Sequence, residues 1–146
     1  MILKYLTKKF YINLLIIILI FVIDRISKIY VINLDKINQG YEIFSSKFFN
    51  ILLIWNKGIA FGLFSFEESF SYKLITFIII IVVCILFIMI LQNNSLRKYS
   101  LVIIFGGSLG NLYDRLLYAA VPDFIDFHIG DFHWFIFNVA DIFITI

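Results

Sequence analysis

Long apolar runs alternate with short polar stretches along the whole chain, and their lengths predict membrane-crossing helices. Phe10 to Ile29 supplies roughly the 20 residues that a hydrocarbon core requires. Ser71 to Leu91 is the clearest span, with Lys73, near its start, as the one charge. Tyr99 to Leu117 predicts a third helix, interrupted by Gly106, Gly107 and Gly110, small residues that let helix backbones approach closely. A fourth begins near Phe137 and runs to Ile146, about half of what a crossing needs. The sequence as given is therefore expected to lack the end of that helix.

The intervening segments read differently. Residues 31–70 carry Asp35, Lys36, Glu42, Lys47, Lys57, Glu67 and Glu68 and are not expected to span. Within them Phe48 to Ile54 predicts a short strand, and Asn56, Gly58 and Gly62 mark turns after it. Pro122 cannot continue a helix and biases Val121 to an extended backbone, so the chain should leave the third helix before Asp123. Residues 123–135 mix Asp, His and aromatics, the composition of an interfacial loop with Trp134 at headgroup level.

Composition sharpens this to an all-α membrane protein of one domain over residues 1–146. Hydrophobic side chains make up 62% of the chain and charged ones 15%, and mean hydropathy is +1.01, where a soluble domain has roughly 45 to 50% apolar and 25% charged residues. A net charge of +2 gives no case for nucleic acid. The single cysteine, Cys84, sits in an apolar run, which excludes a disulfide framework and predicts a small buried residue. No small-residue cleavage site follows the first apolar run; Asp24, Arg25 and Lys28 follow it instead, so it reads as an uncleaved helix. Lys4, Lys8 and Lys9 in the N-terminal tail, and Arg97 and Lys98 between the second and third spans, place both segments in the cytoplasm by the positive-inside rule. Residues 31–70 and 118–136 then lie outside.

That orientation collects Asp24, Asn56, Asp114, Asp123, Asn138 and Asp141 at the outer end of the bundle. A charge at the bilayer centre costs about 2.5 to 3.5 kcal/mol or more, so such residues usually face a bundle interior and carry function. Two carboxylates held close share one proton, and the pair can act as base toward water and as acid toward a leaving amine. Spacing leaves Asp114, Asp123, Asp126 and Asp141 all open as members of such a pair. Asp24 and Lys28 stand in the favourable acid-first order for an ion pair on one helix face, at what otherwise reads as a solvated helix end. Asn138 lies three residues before Asp141, and Asn111 three before Asp114 and four before Arg115, so each set is expected to share a face.

Other chemistries fit less well. Gly106-Gly107-Ser108-Leu109-Gly110 matches the G-x-S-x-G pattern of serine hydrolases, but that elbow needs a preceding strand and this one lies in a helical run, so Ser108 reads as a packing residue. Ser27 and Lys28 are adjacent and point about 100° apart on a helix, which disfavours a serine-lysine pair. His128 and His133, with Asp126 and Asp131 nearby, lack the spacing that puts two ligands on one helix face, and read as loop histidines. A small transporter or channel component is the alternative, since intramembrane acids also mark ion pathways. Transport sites, however, lie near the midplane, often between repeated halves, and the chain has no internal repeat.

Five blocks of the chain resemble the lipoprotein signal peptidases, the signal peptidase II family. They are Asp24-Arg25-Ile26-Ser27-Lys28, Asn56-Lys57-Gly58-Ile59-Ala60-Phe61-Gly62, Gly106 to Arg115, Val121-Pro122-Asp123-Phe124 and Phe137-Asn138-Val139-Ala140-Asp141. The resemblance implies a four-helix membrane bundle with both termini cytoplasmic and a small extracytoplasmic β cradle between the first two helices. It implies an aspartic endopeptidase that cuts a prolipoprotein before its diacylglyceryl-modified cysteine, with no cofactor and no metal, working as a monomer in contact with membrane lipid. Asp123 and Asp141 match the family's catalytic pair. Asn56, Asn111, Arg115 and Asn138 match positions that hold substrate backbone or the pair, while Asp114, Asp24, Lys28 and Gly58 fall at supporting positions. Ala119 stands where the family commonly has glycine.

Overall fold

A computed structural model describes residues 8–58, 69–93 and 95–146. Lys4, Ile59 to Gly62 of the second block, Glu67 and Glu68 lie outside the described residues. Among the described residues, four helices, α1 (Lys8–Ile37), α2 (Ser69–Gln92), α3 (Arg97–Tyr118) and α4 (Val139–Thr145), are arranged around α3, which packs against each of the others. The strands among the described residues are four, β1 (Phe44–Ser45), β2 (Phe49–Asn56), β3 (Val121–Ile129) and β4 (Phe132–Phe137), and they form one antiparallel sheet in chain order.

α1 runs eight residues past the expected end at Ile29, because nothing between Tyr30 and Ile37 breaks a helix. It stops where Gln39 and Gly40 take left-handed φ values of 57° and 82°. Its buried residues, Asn13, Ile20, Asp24, Lys28 and Val31, fall at helical spacing and make one stripe. α2 is long and apolar enough to cross a membrane: within Tyr72–Gln92 an 18-residue window has a mean hydropathy of 3.6, and only 22% of that window is buried. Val83 and Ile90 of α2 meet Val102 and Phe105 of α3 in a small apolar core. Cys84, next to Val83 and turned about 100° away from it, is exposed, not buried as expected, because α2 gives one narrow face to α3.

The sheet departs most from expectation. It is not confined to the segment between α1 and α2: half of it, β3 and β4, comes from the residues expected to form an interfacial loop. Aromatic and β-branched residues at Phe124, Ile125, Phe127, Ile129, Phe132, Trp134 and Ile136 favour strands, and this outweighs the polar Asp and His between them. Ile129 pairs with Phe132 across a two-residue turn whose Gly130 has φ 59°, a conformation glycine adopts without strain. β3 pairs with β2 on its other side, bringing Asn56 opposite Val121 and Ile54 opposite Asp123. Pro122 is tolerated because β4 reaches only as far as Ile125, so this end of β3 has a neighbour on one side.

Candidate active site

The first turn of α4 and the start of β3 bring Asp141 and Asp123 to one cavity of about 860 Å³, which Asn56, Asn111, Arg115 and Asn138 also line. Three asparagines hold the two carboxylates. Asn56 Nδ2 donates to Asp123 Oδ2 at 2.8 Å, Asn138 Nδ2 to Asp123 Oδ1 at 2.6 Å, and Asn111 Nδ2 to Asp141 Oδ1 at 2.8 Å.

Each amide is oriented from its other end. Asn56 Oδ1 accepts from the Gly58 backbone N–H at 2.8 Å, Asn111 Oδ1 from Lys28 Nζ at 2.8 Å, and Asn138 Oδ1 from the Asp141 backbone N–H at 3.2 Å. With every amide oxygen occupied by a donor, each NH₂ group is left to face a carboxylate. Asn138 is not on the helix face with Asp141, as spacing suggested; it is the N-cap of α4. Asp141 Oδ2 in turn accepts from the Asn138 backbone N–H at 3.0 Å, completing a reciprocal capping box.

Behind this layer lies a buried ion network. Asp24, Lys28 and Asp114 have no exposure at all, which corrects the reading of Asp24 and Lys28 as a solvated helix end. Lys28 Nζ reaches Asp24 at 2.9 Å and Asp114 Oδ2 at 2.7 Å. Arg25 binds Asp114 through both terminal nitrogens and Asp24 at 2.8 Å. Asp24 Oδ1 also accepts from the Ala140 backbone N–H at 3.0 Å, so it ties α1 to the start of α4. Spacing did not single out Arg25. Its place between Asp24 and Lys28 in an apolar run was the available signal, since two acids and one lysine in hydrocarbon leave a negative charge unbalanced.

The pair is electrostatically distinctive. Burial pushes the Asp123 carboxyl up to about 6, the charge of Asp141 pushes in the same direction, and the amides of Asn138 and Asn56 and the charge of Lys28 hold it back. Arg115 Nη2 donates to the Gly58 carbonyl, while its buried Nη1 has no partner among the described residues. A buried donor without an acceptor costs about 1 to 3 kcal/mol, and this one belongs to a residue that lines the cavity.

Ser108 also lines the cavity, but its hydroxyl donates to the Ile104 carbonyl at 2.8 Å. Ser27 donates to the Asp24 carbonyl at 2.8 Å and not to Lys28. Asp126 accepts from Asn50 and lies beside His133, among residues that do not line the cavity.

Comparison with known proteins bears on this geometry directly. The family described as Signal peptidase (SPase) II matches residues 16–146. The chain belongs to the signal peptidase II family. It is 50% identical over 139 residues to a lipoprotein signal peptidase of Pelagibacter ubique, covering 95% of this chain and 84% of that one. It is 38% identical over 138 residues to that of Anaplasma phagocytophilum, covering 94% and 87%. Two solved structures of bacterial membrane enzymes align with TM-scores of 0.67 and 0.64 at 30% and 31% identity. Each covers 91% of this chain, with 80% and 84% of the solved chains matched. As a signal peptidase II the protein is a protease of a bacterial membrane, which accounts for the exposed apolar surface of α1 and α2, including Leu15, Ile26, Phe77 and Leu91.

Proposed function

We propose that this signal peptidase II is an aspartic endopeptidase that removes the signal peptide from diacylglyceryl-modified prolipoproteins. Cleavage falls before the lipidated cysteine, and Asp123 and Asp141 carry the chemistry. The observation behind this reading is one cavity with two carboxylates, bridged by Asn138, whose side-chain amide donates to Asp123 and whose backbone N–H donates to Asp141, with Asp123 raised to about 6. Two carboxylates held close share one proton more readily than both ionise.

The ionised member takes a proton from water as the oxygen attacks the scissile carbonyl carbon. The protonated member gives its proton to the carbonyl oxygen, forming a tetrahedral diol. Collapse transfers a proton to the cysteine nitrogen and breaks the C–N bond. The products are a signal peptide with a free carboxylate and a lipoprotein with a free N-terminal amine. Arg115, through Nη1, and the amides of Asn56 and Asn111 hold the substrate backbone extended. Asp24, Lys28, Asp114 and Gly58 support them from behind. The apolar lining from Val82, Val83 and Ile144 suits signal-peptide side chains.

The helices belong to one domain built as a four-span bundle, of which α4 forms the start of the fourth span; both ends of that bundle lie in the cytoplasm and the site lies near the outer face, reached by a substrate whose acyl chains stay in the outer leaflet. α1, at 30 residues, is about 45 Å long and exceeds a core of about 30 Å, so its last turns stand outside with the sheet. The protein works as a monomer, and the hydrolysis itself uses no cofactor. Asp123→Asn and Asp141→Asn are each expected to lower cleavage of a lipid-modified precursor by at least about 1,000-fold, an order of magnitude set by loss of acid-base catalysis. Folded yield in detergent should be unchanged. Full activity in either variant rejects the assignment.

A further inference from the structure

The β3–β4 hairpin places His128 directly opposite His133. Their rings stack with centroids 5.0 Å apart and planes 25° from parallel. Asp126 Oδ2 lies 2.8 Å from His133 Nδ1 and 3.8 Å from His128 Nδ1. One donor atom from each of the three falls within 4.8 Å of the others. His128 Nδ1 is buried and has no hydrogen-bond partner among the described residues. The sequence disfavoured a metal site here because the two histidines lack helical ligand spacing. On a hairpin the relevant relation is cross-strand register, which sequence separation does not reveal.

We propose that Asp126, His128 and His133 form a binding site for a divalent transition-metal ion of the zinc class, distinct from the Asp123/Asp141 cavity. Two imidazole nitrogens and one carboxylate oxygen suit zinc, cobalt, nickel or copper, whereas calcium and magnesium take mainly oxygen ligands in larger number. Donors bound tetrahedrally at about 2.0 to 2.2 Å stand about 3.3 Å apart. The observed 2.8 and 3.8 Å between Asp126 and the two histidines bracket that value, and the donor atoms of all three residues lie within 4.8 Å of one another, so the ion is admitted by side-chain shifts of up to about 1.5 Å. Asn50 Nδ2 reaches Asp126 Oδ2 at 3.4 Å and steadies the carboxylate from behind, as outer-shell partners of metal sites do. The fourth position opens on the side of His133, whose side chain is 54% exposed.

None of the three ligands lines the cavity of the aspartate pair, so the ion takes no part in hydrolysis. Phe132, Trp134 and Phe135, on the strand that the ion would clamp, do line it. The metal therefore fixes the aromatic wall of the cavity by tying β4 to β3.

The test is a titration of untagged, full-length protein in detergent, first stripped with chelator, with Co²⁺ followed by its visible absorption. One saturable equivalent with the intense bands of four-coordinate cobalt is expected, displaced by Zn²⁺. His133→Gln, at a half-exposed position where the fold is kept, should weaken binding at least tenfold. The His128→Gln/His133→Gln pair should remove saturable binding, and Asp131→Asn in the neighbouring turn should leave it unchanged. No saturable binding in the parent protein, or unaltered binding in His133→Gln, overturns the proposal and leaves an Asp126–His133 hydrogen bond only.

Discussion

Asp123 shows how a single side chain acquires unusual chemistry from its surroundings. Burial is the larger cause of its rise to about 6, and the neighbouring Asp141 adds to it. Replacing Asp141 by Asn should therefore lower the Asp123 pKa only part of the way to the ordinary carboxylate value, read by ¹³C-carboxyl NMR. A full return would show that charge, not burial, controls it. The sign for stability comes from the same shift. A folded-state pKa above the unfolded value near about 3.9 means the folded state binds the extra proton, so stability falls as pH rises from about 4 to about 6. Asp123→Asn should flatten that slope, checked by thermal midpoints across the window. Ala119 is the second informative residue. It caps α3 with φ 53° and ψ 24°, a left-handed conformation that costs a non-glycine residue roughly 1 to 2 kcal/mol. Ala119→Gly is predicted to stabilise the fold by about 1 kcal/mol, less than the full strain because glycine loses more entropy on folding. An unchanged or lower midpoint in detergent contradicts this.

At the scale of elements, α3 is the spine of the site because it presents glycine where other helices come closest. A Cβ at Gly110 would stand 2.5 Å from Asp24 Oδ2, and one at Gly107 would stand 2.6 Å from the Ala140 carbonyl oxygen. Gly110→Ala should thus push Asp24 away from Lys28 and from the α4 N-terminus, at a cost of roughly 1 to 3 kcal/mol or more. Asp114→Asn should be costlier, about 3 to 5 kcal/mol, because it leaves Arg25 and Lys28 buried with too little negative charge. Both are checked by midpoints of purified protein, and parent-like stability in Asp114→Asn would show the network to be dispensable. The glycines were legible in the sequence as close-packing positions, but not what they approach, since that depends on how α1 and α4 cross α3. The role of Asn138 was hidden for a related reason: three-residue spacing fits a shared helix face and a capping box equally well, and only the extended backbone of Asn138, φ −125°, decides.

For the whole molecule, hydropathy and the five polar blocks pointed to a membrane helix protein with its polar groups at one end. They did not reveal that β2 and β3, separated by the whole of α2 and α3, would pair. That pairing sets Asn56 beside Asp123 and carries β4 over the cavity, and it depends on register between distant segments, where local pattern is silent. The outcome is a division of labour: a charged, rigid support in α1 and α3, a carboxylate pair contributed by a strand and the first turn of a helix, and a sheet that walls the cavity. In the proposed mechanism the acyl-modified cysteine stays in the lipid beside the bundle while the peptide bond before it enters the cavity. The most direct measurement is mass spectrometry of one prolipoprotein, presented to the purified enzyme in its diacylglyceryl-modified and unmodified forms. Cleavage of the modified form alone, at the bond before the cysteine, is the predicted result. Equal cleavage of both forms, or no cleavage of the modified one, would contradict the mechanism.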